Sequence, residues 1–221
     1  MTPTDNAGGF ADRADAAERL AQALAGYRRQ HPLVLAIPRG AVPIGAVLAR
    51  RLEGELDLVL VRKLHAPGAP EFAVGAVDET GWVYLAPHAL SVGVTPAYLA
   101  EQKVLEMEEL KRRRDVYTPG RARTDTTDRV VIVVDDGLAT GATMVAALHA
   151  VRQRRPARLV CAAPVGSQES VRLLQEHADE VVCLQIPRHF GAVSQFYDAF
   201  PQLEDDEVVA LLQESRSSRR A

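Results

Sequence analysis

The sequence lacks a surplus of basic residues. Its 26 Lys and Arg are outnumbered by 29 Asp and Glu, which gives a formal net charge of −3. A protein dedicated to nucleic acid usually carries a basic surplus, so this balance argues against nucleic acid as a partner. The basic run at 111–114 follows a row of acids, as the dipole of a helix favours, and is explained as a solvated helix end.

Cysteine and long apolar runs are scarce. Only Cys161 and Cys183 occur, both inside short apolar runs, where we expect buried reduced thiols rather than a disulfide. The longest apolar stretch, 33–49, is interrupted by proline and by Arg39, so it is too short and too broken to span a membrane. The N-terminus shows no basic segment followed by an apolar one. We therefore expect a reduced, cytoplasmic protein with no membrane partner.

Several common site motifs are missing as well. No Gly-x-Gly-x-x-Gly fingerprint occurs. Gly40 and Gly45 have the spacing of the two P-loop glycines, but Ala46-Val47 follow where Lys-Ser/Thr is required. The six histidines show no paired spacing, so we predict no zinc site and no side chain that ligates a metal directly.

What the sequence does contain is an alternation of short apolar runs with helical patterns. The strongest strand signal is 130–134, Val-Val-Ile-Val-Val. Solid apolar runs are typical of strands buried on both faces, so we predict an α/β fold, a Rossmann-like central parallel sheet with helices on both faces. The predicted strands are 33–37, 56–61, 130–134, 159–165 and 180–186, and the predicted helices lie at 12–29, around 44–52, 95–117, around 144–151, 168–177 and 205–213.

One domain covers residues 12–213 in this prediction, between a loose N-terminus (1–11) and a polar tail (214–221). The segment 62–85 is rich in proline and glycine and carries short β-like pieces. This pattern predicts a flexible lid hairpin rather than an element of the core. The segment 187–204 is irregular and rich in aromatic residues.

The most informative junction follows the strand at 130–134. Two adjacent carboxylates, Asp135 and Asp136, end the strand, and a turn of small residues then opens a helix. Free N–H groups at a helix start favour an anion, so the turn is predicted to hold a phosphate. Carboxylates repel a phosphate but accept hydrogen bonds from a pair of hydroxyls. A ribose 5-phosphate has that polarity, whereas the simpler alternative is a tight turn whose acids only cap the helix.

The run Val-Val-Asp-Asp-Gly-Leu-Ala-Thr-Gly-Ala-Thr resembles the phosphoribosyl-diphosphate (PRPP) binding motif of type I phosphoribosyltransferases. The resemblance implies that Asp135 and Asp136 bind the ribose 2′- and 3′-hydroxyls. In hypoxanthine-guanine members an Asp stands at the position matching Ala139, so the acceptor is left open here. The residues implied for the 5-phosphate are Gly137, Ala139, Thr140, Gly141, Ala142 and Thr143.

Two further junctions suit a diphosphate. Arg39 and Gly40 follow the first strand, where the family has a diphosphate loop with an often cis non-proline peptide, here near Pro38-Arg39. Arg62 and Lys63 end the second strand, before the lid, and are also assigned to the diphosphate. Arg39 and Lys63 are the predicted catalytic residues. The alternatives are an ordinary turn arginine and a solvated basic pair.

The resemblance implies a small C-terminal hood over the acceptor, here at 187–204, and its predicted acceptor contacts are Phe196 and Tyr197, which could stack on a ring or simply close the core. The resemblance implies transfer of a phosphoribosyl group from PRPP to a nitrogenous acceptor, with release of diphosphate and with Mg²⁺ as cofactor. Many relatives dimerise, which leaves a homodimer open without indicating its interface.

Two alternatives remain at this point. One is a regulator on the same fold that senses PRPP or a nucleotide without catalysis and works with RNA. The other is a different sugar-phosphate enzyme on a dinucleotide-type fold. The long lid and the lack of a basic surplus count against the first, and the missing glycine fingerprint and the acid pair count against the second.

Overall fold

The computed structural model describes residues 8–217, apart from the side chains of residues 70 and 71. A five-stranded parallel sheet has the order β2-β1-β6-β7-β8, so β6 lies at its centre between β1 and β7. Its strands are β1 (Leu33–Ala36), β2 (Glu55–Leu58), β6 (Val130–Val134), β7 (Arg158–Val165) and β8 (Glu180–Gln185). The predicted α/β architecture is confirmed.

Helices cover both faces of this sheet, because successive side chains of each strand point to opposite sides. Val34 and Ile132 face one apolar cluster, which includes α1, α2, α3 and α6, whereas Val131 and Val133 face the other, which includes α4 and α5. The helices are α1 (Arg13–Ala23), α2 (Val42–Arg51), α3 (Pro96–Tyr117), α4 (Ala142–Arg152), α5 (Gln168–Leu174) and α6 (Asp205–Ser217). Burial on both faces explains why the strands are solid apolar runs.

The segment predicted as a lid forms a second, antiparallel sheet of β3 (Val61–Ala66), β4 (Ala69–Asp78) and β5 (Val83–Leu85). The expectation that this segment lies outside the core is wrong. Leu64, Val74 and Val77 are at most 1% exposed, and the sheet packs against α4. The turn around Gly68 is exposed. Mobility of that tip stays a prediction.

The two predicted ends of the domain also need correction. Phe10 is fully buried and forms a β-bridge with Tyr197, so residues 9–11 are packed on the hood rather than loose. Helix α6 continues to Ser217, so residues 214–217 are helical rather than part of a tail. The predictions for 1–7 and 218–221 lie outside the described residues.

Two other expectations can be compared with the structure. Cys161 and Cys183 are free and buried, as predicted, and burial raises the pKa of the Cys183 thiol to about 12. Across residues 8–217, none of the helices combines the length and the apolar character that crossing a bilayer requires.

Candidate functional site

The topology brings two loops together at one edge of the sheet. Strand β1 is followed along the chain by β2, which is its neighbour on one side, whereas its neighbour on the other side is β6. The direction in which strands are added therefore reverses between β1 and β6, which makes this position a switch point. In open parallel sheets, ligands bind in the crevice beyond the carboxyl ends of the strands at such a point. The loop 37–41 and the loop 135–141 follow these two strands and form this crevice.

Asp135 and Asp136 lie at the end of β6 but have different surroundings. Oδ1 of Asp135 accepts a hydrogen bond from the Asp136 amide, at 2.9 Å. Oδ2 of Asp136 accepts two from Arg13, at 2.9 Å from Nη2 and 3.2 Å from Nε. A Cβ added to Gly40 would lie 2.0 Å from the same Oδ2. The carboxylate of Asp136 is therefore enclosed by α1 and the loop after β1.

Burial makes both carboxylates costly to ionise. The pKa of Asp135 is raised well above its ordinary value, first by burial and second by the charge of Asp136. Burial also raises the pKa of Asp136, and the charge and hydrogen bonds of Arg13 oppose that rise. The positive charge of Lys63 lowers the pKa of both carboxyl groups, so this ammonium interacts electrostatically with the pair. Such desolvated acids are typical of functional sites.

The turn after β6 is held by hydrogen bonds to β7 and to Ser167. The Leu138 amide donates to the Val165 carbonyl at 2.9 Å, and Oγ of Ser167 donates to the Ala139 carbonyl at 2.9 Å. Gly141 has φ 78°, a left-handed conformation that glycine adopts without strain, and α4 begins at the next residue. Among the described residues, the amides of Ala139, Thr140, Gly141 and Thr143 have no hydrogen-bond acceptor. Free amides at a helix start favour the binding of an anion, and we call these four the amide cradle.

The loop after β1 contains a cis peptide bond between Pro38 and Arg39. The guanidinium of Arg39 does not point at the acid pair. It lies 3.4 Å from Glu204 and 3.7 Å from Asp205, at the start of α6. The backbone of this loop, rather than the Arg39 side chain, is what the structure brings against Asp136.

The two basic residues of β3 point in opposite directions, as neighbours on a strand must. Lys63 is exposed, and its charge acts on the acid pair. Arg62 instead pairs with Glu106 of α3 at 2.6 Å. The charge of Lys63 therefore reaches the acid pair, whereas Arg62 is paired with α3.

The hood contacts the acid pair, and its aromatic residues Tyr197 and Phe196 have different surroundings. Tyr197 is 7% exposed, packs on Phe10, and donates its hydroxyl to the Asp136 carbonyl at 2.7 Å. Its ring is committed to the core, so the prediction that it stacks on an acceptor is corrected. Phe196 is half-buried and stacks on Phe190 with 5.4 Å between ring centroids.

A polar cavity of about 510 Å³ lies between the hood and the start of α5. It adjoins the turn after β6, since its wall residue Ser167 hydrogen-bonds to Ala139. Its lining comprises Ser167, Gln168, Glu169, Pro187, Arg188, His189, Phe190, Gly191 and Gln195. A second cavity, of about 420 Å³, lies at the opposite end of the sheet, around His31, Gly54 and Arg129, and is remote from this site.

Within the described part of the chain, no three His, Cys, Asp or Glu side chains form a group that could hold a metal ion. The acid pair therefore offers at most two carboxylates. This donor set fits Mg²⁺, which usually binds through one or two carboxylates, several waters and the phosphates of a substrate.

Sequence reasoning missed Arg13. It lies 123 positions from Asp136 in the chain and is only 8% exposed. No motif marks it, because its partners come from the strand end and from the hood. A buried arginine cannot be distinguished from an exposed one when both occupy the first turns of an amphipathic helix.

These features define a doubly wound α/β protein with the amide cradle and an acid pair at its switch point. Residues 9–201 match the family model described as the phosphoribosyl transferase domain, and the chain belongs to that family.

Two relatives have names that agree with this assignment, and one solved structure shares the fold. Two Mycobacterium tuberculosis proteins, from strains CDC 1551 and H37Rv and named provisionally as phosphoribosyl transferases, are each 41% identical over 204 residues. The match covers 92% of this chain and 46% of each relative, so the chain spans about half the length of these relatives. The crystal structure of TT1426 from Thermus thermophilus matches with a TM-score of 0.78 and 45% identity, over 93% of this chain and 98% of that one.

Proposed function

We propose that this protein transfers the phosphoribosyl group of PRPP to a nitrogen nucleophile and releases diphosphate. The observation that carries the proposal is the juxtaposition of the acid pair with the free amides of Ala139, Thr140, Gly141 and Thr143 at the switch point. A pentose 5-phosphate presents a hydroxyl pair at one end and a dianion at the other. The crevice offers acceptors and donors in the matching order.

In this proposal, Asp135 and Asp136 accept hydrogen bonds from the ribose 2′- and 3′-hydroxyls. The amides of Ala139, Thr140, Gly141 and Thr143 hold the 5-phosphate, and the dipole of α4 adds to their attraction. Because the loop is already fixed by its bonds to β7 and Ser167, little order has to be created on binding.

The reaction breaks the bond between C1 of the ribose and the diphosphate oxygen, forms a C1–N bond, and passes the proton of the nucleophile to solvent. The transition state is oxocarbenium-like, as in glycoside cleavage, so the carboxylates also favour the developing positive charge. Lys63 faces the departing diphosphate, and the Gly40 backbone lines its path. Arg39 can join them only after it leaves Glu204 and Asp205.

Mg²⁺ would be held together with PRPP, with Asp135 and Asp136 orienting its waters rather than binding it directly. When bound, it supplies neutralisation of the diphosphate charge. The acceptor would enter from the hood, where Phe196 is half-buried and the polar cavity adjoins the phosphate loop.

Calorimetry with PRPP and Mg²⁺ tests the binding step. We expect the wild type to bind and the double variant Asp135→Asn, Asp136→Asn to lose binding, because amides accept weakly from the hydroxyls and carry no charge. Asp115→Asn, an exposed acid of α3, is the matched control and should bind as the wild type does. Equal affinity of the double variant and the wild type would refute the assignment of the acid pair.

Diphosphate release, measured with purines, pyrimidines and other nitrogen heterocycles, tests turnover. Release with one acceptor class, dependent on the acid pair, supports the transferase. Tight PRPP binding without release for any acceptor would instead favour the sensing regulator.

A further inference from the structure

Arg13 is bound on every side by the site and by the hood. Its Nη2 and Nε donate to Oδ2 of Asp136, at 2.9 and 3.2 Å. Its Nη1 donates to the Pro201 carbonyl at 2.8 Å. Its guanidinium carbon lies 3.7 Å above the centre of the Phe200 ring. By contrast, Arg19 on the same helix is exposed, pairs with Asp15 one helical turn away, and lies 5.2 Å from the centre of the Phe10 ring.

The contacts of Arg13 divide the Asp136 carboxylate into two unequal oxygens. Oδ2 is occupied by two guanidinium bonds and lies against the Gly40 backbone. Oδ1 receives no hydrogen bond from any other described residue, and the side chain keeps 17% of its surface exposed. One oxygen is thus anchored, and the other is left as an acceptor.

Resting on the function proposed above, we propose that Arg13 is a positioning residue for the pentose. It anchors Oδ2 of Asp136, so that Oδ1 is presented to a ribose hydroxyl in one fixed orientation. Asp135 has no cation in hydrogen-bond contact among the described residues. The two acids therefore differ, and only Asp136 is held from behind.

The hood takes part in this arrangement. Pro201 and Phe200 hold the other edge and one face of the guanidinium, so the hood fixes the plane of Arg13 and, through it, the plane of the carboxylate. A guanidinium can serve two acceptors and stack at once because its donors form a rigid planar fork. An ammonium provides the charge but not that geometry.

The test compares Arg13→Gln and Arg13→Lys with Arg19→Gln as the matched control. Calorimetry with PRPP and Mg²⁺ reports both the dissociation constant and the stoichiometry. We expect Arg13→Gln to raise the dissociation constant at least about tenfold, which is about 1.4 kcal/mol, with unchanged stoichiometry. Arg13→Lys should fall between it and the wild type, and Arg19→Gln should match the wild type.

A second probe separates positioning from general damage. Ethyl phosphate has a phosphate but no hydroxyl pair, and its binding can be followed by NMR at the amides of Thr140 and Gly141. We expect the same ethyl phosphate affinity in the wild type and in Arg13→Gln. A purely structural role would lower the stoichiometry for PRPP or weaken both ligands alike, and either result overturns the proposal.

The outcomes also distinguish a failure of this inference from a failure of the proposed function on which it rests. Wild type that fails to bind PRPP refutes both. Wild type that binds, with Arg13→Gln binding equally well, refutes the role of Arg13 alone. If Arg13→Gln does not fold, Arg13→Lys decides: a weaker affinity for PRPP with an unchanged affinity for ethyl phosphate supports the role, and an unchanged affinity for PRPP overturns it.

Discussion

Replacing Gly40 with alanine tests the packing between the loop after β1 and the acid pair. The added Cβ would lie 2.0 Å from Oδ2 of Asp136 and 3.3 Å from Nη2 of Arg13. A carboxylate at the end of a free side chain could turn aside. This one is held by two bonds to Arg13, so moving it breaks a largely buried ion pair. The alternative is displacement of the loop itself.

The expected loss of stability follows from either displacement, that of the carboxylate or that of the loop. Inserting a methyl group into a closely packed site costs about 1–3 kcal/mol of unfolding free energy. For a chain of this length, each kcal/mol lowers Tm by about 2–4 °C. We therefore expect Gly40→Ala to lower Tm by about 2–12 °C. We also expect at least a tenfold loss of PRPP affinity, because the diol acceptor and the diphosphate loop are both displaced.

Thermal unfolding and calorimetry measure the two effects, and a second glycine serves as the control. Gly26 has no heavy atom within 4 Å of an added Cβ, and its φ is not left-handed, so Gly26→Ala should leave binding unchanged. It should raise stability slightly, by about 0.4–1 kcal/mol, through the unfolded chain. If Gly40→Ala matched the wild type in both Tm and affinity, the close packing of Gly40 on Asp136 would be disproved.

Two further predictions follow from charges at the site. Asp135→Asn should raise the free energy of unfolding at neutral pH although it weakens PRPP binding. The folded-state pKa of Asp135 is raised, so the wild type loses stability as pH rises through that window, and the advantage of the variant should shrink in acid. A constant advantage across the pH range would contradict this. Lys63→Met should weaken PRPP binding, as calorimetry would show, whereas Arg62→Met should not, because Arg62 is paired with Glu106. Equal losses of PRPP affinity in both variants would refute the conclusion that these two side chains of β3 point in opposite directions.

The acid pair and the turn after it were predictable because their chemistry is local. A buried strand, two carboxylates and small residues at a helix start lie within fourteen consecutive positions, 130–143. The prediction of the site depends only on the order of these residues along the chain, which periodicity and spacing show directly. The same holds for the strands and helices of the sheet, since burial on both faces leaves a solid apolar run.

Other features depend on which distant surfaces meet. The lid segment looked loose because it is rich in glycine and proline, yet Leu64 and Val74 are buried in the apolar cluster that includes α3. Tyr197 looked available for stacking, yet its hydroxyl is taken by a carbonyl of the site. The direction of Lys63 and Arg62 required the register of β3 on its neighbours.

The sequence alone determined the class of fold and the position of the cradle, because both arise from contacts between near neighbours in the chain. The tertiary structure alone decided that Arg13 stands behind Asp136, that Gly40 lies against it and that Arg39 is turned toward α6. These contacts connect α1, the end of the central strand β6 and the hood that follows β8. No local pattern encodes them, because each partner's burial is set by the packing of elements that lie far apart along the chain.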